Sequence, residues 1–208
     1  MARFTDVIEN REQFRAIMRE PSEKVTRKTL SKLDIHCKSF ISRSPFILLT
    51  SADAIGNQDV SPKGDPAGFV AILDDHTLAI PDRPGNHRAD TIENIIQNPN
   101  VGIIFLVPGK TETLRVSGTA EVVRDEKLRT SMSVNGRLPK FALVVTVKEA
   151  FFHCSKCMIR SKLWQPEEWP SLEGLPLLAE TLIDAGKLNI SVEEMHQIVL
   201  DDEKERLY

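Results

Sequence analysis

Residues 45–153 form a succession of short apolar or alternating runs, each stopped by Gly, Pro, Asn or Asp, with only brief helical segments between them. Parallel strand pairs need long crossover connections, usually helices. A chain that turns this often within so few residues therefore pairs its strands antiparallel, as a barrel or curled sheet with helices packed outside. "PFILLTSAD" (45–53) reads as a buried strand ending in a turn. "NQDVSPKG" (57–64) reads as an edge or bulged strand, because Pro62 has no amide to donate. "GFVAILDDHTLAIPD" (68–82) is a hairpin around Asp74–Asp75, and "VGIIFLVPG" (101–109) is a continuous apolar strand. "ETLRVSGTAEVV" (112–123) alternates, with Leu114, Val116, Ala120 and Val122 on one face and Arg115, Ser117 and Thr119 on the other. "FALVVTVKEAFFHC" (141–154) is a long last strand. Between them, "ADTIENIIQNPN" (89–100) is a short helix in which Asp90 and Glu93 have the spacing of a capping box, and "DEKLRTSMS" (125–133) is another.

The flanks differ in character. Residues 6–43 have helical spacing, with Val7, Phe14, Ile17 and Met18 near one face, a break at Pro21, and Val25, Leu30, Leu33 and Phe40 beyond it. "SKCMIRSKLW" (155–164) reads as a helix that would place Arg160 and Trp164 on one face, and two more helices are expected near 175–185 and 191–206. This divides the chain into an N-terminal helical extension (1–44), a β domain (45–165) and a C-terminal helical extension (166–208). The last of these is acidic: residues 165–208 carry 11 acidic and 3 basic side chains, whereas residues 1–164 carry 19 and 24. An overall charge of −3 gives no reason to expect nucleic acid. No apolar run approaches the ~20 residues of a membrane span, and the N-terminus lacks the apolar segment of a signal peptide. Three cysteines (Cys37, Cys154, Cys157) make no disulfide framework, so a reduced, cytoplasmic protein is expected. Cys154 and Cys157 have the CxxC spacing of a redox pair or half a zinc site, but a second cysteine pair is lacking, and no metal site is expected.

The chemistry concentrates in "PDRPGNHRAD" (81–90). Arg83, His87 and Arg88 bring three cationic groups into six residues, Gly85 and Asn86 tolerate a left-handed backbone, and a helix start follows. Guanidinium forks and free helix amides are what a phosphate requires. On "DVSPKG", strand alternation places Asp59, Ser61 and Lys63 on one face. On "LRVSG", Arg115 and Ser117 project from the polar side. No serine-hydrolase elbow, zinc-protease helix, phosphate-binding P-loop or dinucleotide fingerprint is present.

Taken in order, the stretch from "SPKGDPAGFVAILDDHTLAIPDRPGNHRAD" through "LRVSGTAEVV" to "FFHCSKCMIRSKLW" resembles the pyridoxamine 5'-phosphate oxidase-like family of FMN-binding split-barrel proteins. The resemblance covers roughly residues 45–165. It implies a mainly β fold, a six-stranded antiparallel split β-barrel, in a homodimer with FMN in clefts between the subunits. It implies that Ser61, Pro62 and Lys63 lie along the flavin and that Arg83 and Arg88, with Asn86 and His87, hold the phosphate. Arg115 and Ser117 would reach the cofactor from the partner chain, and Trp164, with Lys156 and Arg160 nearby, would cover the ring. The implied activity is an FMN-dependent oxidoreductase taking a hydride from NAD(P)H or a small-molecule substrate. The alternative is a non-catalytic flavin- or haem-binding barrel, and a deazaflavin would want the same cationic loop. One departure stands out. Pyridoxamine phosphate oxidases end in an Arg- and His-bearing segment that grips the substrate phosphate, whereas this chain ends in "QPEEWPSLEGLPLLAETLIDAGKLNI" and "VLDDEKERLY".

Overall fold

The computed structural model describes residues 4–208. Seven strands form one antiparallel sheet: β1 (Phe46–Ala52), β2 (Gln58–Gly64), β3 (Ala71–Ile72), β4 (Thr77–Pro81), β5 (Asn100–Leu106), β6 (Thr113–Val123) and β7 (Ala142–His153). Their order is β2-β1-β5-β6-β7-β4-β3, so the Pro62 strand is an edge, as its missing donor requires. The short helices between strands are α4 (Asp90–Gln97) and α5 (Glu126–Ser131). This is the mainly β architecture with flanking helices that the turn spacing implies, with seven strands in place of six and with two sheet edges.

The sheet is strongly curled. Five strand spacings separate β2 from β4, about 24 Å if the sheet were flat. Yet Asp65, directly after β2, lies 2.5 Å from the Arg83 guanidinium, just beyond β4. Rolling encloses one core from the inward rows: Ile47 and Leu49, Leu78 and Ile80, Ile103 and Phe105, Leu114 and Val116, Val145 and Val147. One end is stopped by α3 (Ile35–Ile41), whose Cys37, Phe40 and Ile41 join that core. Burial pushes the Cys37 thiol up to about 11, so it remains protonated and inert.

The N-terminal extension departs from the expected helical runs on either side of Pro21. Helix α1 (Arg11–Ile17) and α2 (Glu23–Thr26) are short, and the run from Val25 to Phe40 is interrupted. Leu30 exchanges two backbone bonds of 2.9 Å with Ala150 of β7, and Asp34 caps α3 by accepting from the Cys37 amide. Strand pairing and a local cap outweigh helix continuity here. The C-terminal segment contains α6 (Lys156–Ser161), one 3-10 turn at Pro166–Glu168, α7 (Leu178–Gly186) and α8 (Val192–Glu205). None of the helices among the described residues is long and apolar enough to cross a membrane.

A β-bulge divides β7. Ser117 pairs with Glu149 and Gly118 with Val147, leaving Lys148 as the extra residue. The inward positions change parity there, from Leu143, Val145 and Val147 to Ala150. Gly118 makes the close approach possible: a Cβ at this position would sit 2.0 Å from the Thr146 carbonyl oxygen. Gly118→Ala is expected to destabilise the fold by about 1–3 kcal/mol or more, read as a lower urea midpoint. An unchanged midpoint would contradict the packing of β6 on β7 at the bulge.

Candidate functional site

Register assigns each candidate residue to a face. Ser61 pairs with Leu49 and Lys63 with Ile47, so both stand on the core side of the sheet, with Asp59. Pro62 pairs with Leu48, Leu48 with Ile104, and Ile104 with Arg115, so Pro62 and Arg115 share the opposite, outer face. Ser117 reaches the same outer face through Gly102 and Thr50.

The inner group gathers where the ends of β2 and β4 meet. Burial depresses the pKa of Lys63, and the nearby carboxylates of Asp82 and Asp59 oppose that shift. Burial raises the pKa of Asp82, opposed by Lys63 and Lys140. Asp59 accepts a 2.6 Å bond from the Thr91 hydroxyl, which ties β2 to the start of α4. The loop from Asp82 to Asp90 therefore faces a half-buried ammonium rather than lying apart from the strands.

Within that loop the left-handed residues are His87 (φ 62°) and Ala89 (φ 58°), whereas Gly85 is not left-handed. Asn86 accepts from the Arg88 amide at 3.1 Å and shapes the bend. Ala89 takes the N-cap position of α4, and no side chain caps that helix. The expected Asp90–Glu93 box does not form, because Asp90 turns back to accept from Arg88 Nε at 2.9 Å. Arg88 is otherwise exposed, its side chain 74% accessible. Helix amides without a side-chain cap beside an exposed guanidinium are a donor set that fits a phosphate.

Arg83 has a different setting. Its Nε donates to Asp65, whose other oxygen accepts a 2.8 Å bond from the Tyr208 hydroxyl. The guanidinium lies 5.6 Å from the Tyr208 ring centroid, and Arg137 holds the Tyr208 carbonyl. The Asp65 side chain is 1% exposed and Arg83 16%. Asp65, Asp82 and Tyr208 escape sequence reasoning because their partners are distant along the chain and no local motif marks them.

The outer group forms around Phe151. Arg115 and Lys28 both lie 5.3 Å from its ring centroid, and the His153 ring lies beside it at 4.9 Å, tilted by 57°. The pKa of His153 is lowered by burial and by the charges of Lys28 and Arg115. The bulge puts Phe151 and His153 on this face; simple alternation from Val147 would turn them inward. Trp164 lies beyond α6, which ends at Lys162 in a left-handed turn, so Arg160 and Trp164 do not share a helical face. Its indole donates to the Lys110 carbonyl at 2.7 Å and fastens the C-terminal segment to the β5–β6 turn. Lys156 and Arg160 are exposed on α6.

The family model described as Pyridoxamine 5'-phosphate oxidase matches residues 33–154. The chain belongs to the pyridoxamine 5'-phosphate oxidase family. The match runs from Leu33 to Cys154, takes in α3 and all seven strands, and leaves Lys156, Arg160 and Trp164 outside. Solved structures with a similar fold include HupZ of Group A Streptococcus (20% identity, TM-score 0.48, covering 58% of this chain and 93% of that one). Another is an FMN-binding protein from Syntrophomonas wolfei (11%, 0.43, 58% and 90%). A third is General Stress Protein 26 from Bacillus anthracis (16%, 0.42, 57% and 94%). A comparison with curated proteins gives no match.

Among the described residues no three His, Cys, Asp or Glu side chains are grouped to hold a metal ion. Cys154 and Cys157 are exposed and unbridged.

Two outcomes follow for this member of the family. Asp65→Ala strands the Arg83 charge and should cost about 3–5 kcal/mol, whereas Tyr208→Phe removes one hydrogen bond and should cost about 1–3 kcal/mol. Equal denaturation midpoints for the two variants would refute the ion pair as a closure of the sheet. Lys63→Met removes the nearby charge that opposes the burial shift of Asp82. The Asp82 pKa should then rise further, as read by carboxyl NMR titration; a fall would exclude their proximity.

Proposed function

We propose that the chain is an FMN-dependent oxidoreductase acting as a homodimer, with each cofactor held between the inner group of one subunit and the outer group of its partner. The observation that carries this reading is the distribution of the candidate residues over opposite faces of one sheet. Lys63 and the 82–90 loop stand at one place, and Arg115, Phe151 and His153 at another. One flat ligand can meet both sets when two chains share it.

In this arrangement Arg88 and the α4 amides bind the phosphate. Arg83, already engaged by Asp65 and Tyr208, fixes the loop that presents them. Lys63, a partly desolvated ammonium, would be the cation available to the flavin ring, where a positive charge favours negative charge on the reduced cofactor. Arg115 of the outer face would supply a cation, and Phe151 with the His153 ring an aromatic wall, from the second subunit. FMN, when bound, supplies the hydride acceptor, and the chain's residues orient it and exclude water. NAD(P)H or an organic substrate is the donor. The acidic C-terminal extension does not match the Arg- and His-bearing segment by which pyridoxamine phosphate oxidases grip their substrate, so pyridoxamine phosphate is not the proposed substrate.

The decisive measurement is the absorbance spectrum and mass of the small molecule that copurifies with the full chain. A flavin spectrum and the mass of FMN support the reading; a Soret band would transfer the site to haem, and the mass of a deazaflavin would replace the cofactor. Arg88→Ala removes a charge-assisted phosphate bond worth about 1.5–3 kcal/mol, so FMN affinity should fall roughly 10- to 150-fold with the fold intact by circular dichroism. Undiminished affinity would remove Arg88 from the phosphate site. Anaerobic bleaching by NADPH would distinguish an enzyme from a carrier.

A further inference from the structure

Two helical appendages leave apolar faces uncovered in this chain. Helix α1 buries none of its side chains. Its Phe14, Ile17 and Met18 are 41%, 76% and 53% exposed, and their i, i+3, i+4 spacing makes one continuous face. A helix of seven residues does not hold together in water by itself. At the other end, α7 and α8 pack on each other, yet α8 buries nothing and α7 only Ala179. Leu178 and Leu182 of α7 and Ile198 and Leu200 of α8 remain exposed, as do Leu172 and Leu175 before them. Both surfaces are open in one and the same chain, so neither covers the other within it.

Their charges are complementary. Residues 11–28 hold six basic side chains and three acidic ones, while residues 165–208 hold 11 acidic and 3 basic. Arg11, at the start of α1, and Arg19, just beyond its end, are exposed, whereas Arg15 is half-buried and shares Glu20 with Arg11; α8 carries Glu193, Asp201, Asp202, Glu203 and Glu205.

We propose that the N-terminal arm of one copy docks by its Phe14–Ile17–Met18 face on the α7–α8 hairpin of a second copy, with its arginines against the acids of α8. The pair of reciprocal contacts is a clasp at two places on the dimer, and it rests on the dimer reading above. The partner is this chain itself, because both apolar faces are uncovered in it and the net charges of the arm and the hairpin are opposite in sign.

A charge-swap experiment on the full chain tests this, with amide hydrogen exchange of residues 11–17 and mass by light scattering as readouts. In the wild-type dimer, α1 should be protected. Reversing the arm (Arg11→Glu, Arg15→Glu, Arg19→Glu) or the hairpin (Glu193→Lys, Asp201→Lys, Glu205→Lys) should cut that protection by about tenfold or more. Mixing the two variants should restore it, because in the heterodimer each arm meets a hairpin of opposite sign. Ile17→Ser, which changes no charge, should also lower protection. Protection regained only when both reversals are in one chain would make the contact intramolecular and overturn the proposal, and so would a wild-type dimer with an unprotected α1. A wild-type monomer at micromolar concentration would overturn the dimer reading itself, which keeps the two failures distinct.

Discussion

The buried pair of Asp65 and Arg83 joins two places that a flat sheet would hold far apart, and much of the molecule's arrangement follows from that junction. A buried ion pair is seldom a large net source of stability, since desolvating two charges offsets most of their attraction. Its effect is geometric. With Asp65 nearly inaccessible and both its oxygens accepting, from Arg83 and from Tyr208, the end of β2 has one position relative to the end of β4. Lys63 is thereby set beside Asp82, and the 82–90 loop is presented to the inner row of β2. If the two ends drifted apart, the loop would be an isolated cationic bend, and the half-buried ammonium would lose the carboxylate that tempers its burial.

The second constraint is the bulge at Lys148. One unpaired residue reverses the parity of β7, so that Ala150 continues the core row while Phe151 and His153 turn outward beside Arg115. An aromatic ring flanked by Arg115 and Lys28 is an unusual surface for the outside of a sheet. Apolar neighbours on the same face include Phe46, Leu48 and Ile104. Cations over an aromatic ring attract a flat anionic ligand, and the surrounding apolar area suits contact with another protein surface.

The strands were legible in the chain because apolar runs and turn residues are local signals. So was the edge position of β2, which a missing amide dictates. The cationic loop was equally visible by composition. Its internal geometry was not: the left-handed residues are His87 and Ala89 rather than Gly85, and Asp90 answers Arg88 instead of capping α4. A side chain with two available partners chooses by three-dimensional proximity, which spacing alone does not encode. Asp65 and Tyr208 lie 143 residues apart and meet only after folding. Trp164 illustrates the same limit, since its helical phase relative to Arg160 depended on a helix that ends at Lys162. The bulge was hidden for a different reason: a one-residue slip leaves an apolar run such as "EAFFH" reading plausibly in either phase.

The core draws on the end of the N-terminal extension, through Leu33 and α3, but on neither α1 nor α8. Its residues run from Leu33 to Ala150, and α1 and α8 contribute none. Neither helix places a fully buried side chain in the chain that carries it, and both leave apolar residues exposed. The C-terminal extension nevertheless ends against the Asp65–Arg83 pair through Tyr208, at the edge of the loop proposed to hold a phosphate. That anchor is made by the last residue alone, with Arg83 and Arg137 as its cationic neighbours, while the net charge of −8 is spread over the whole of residues 165–208.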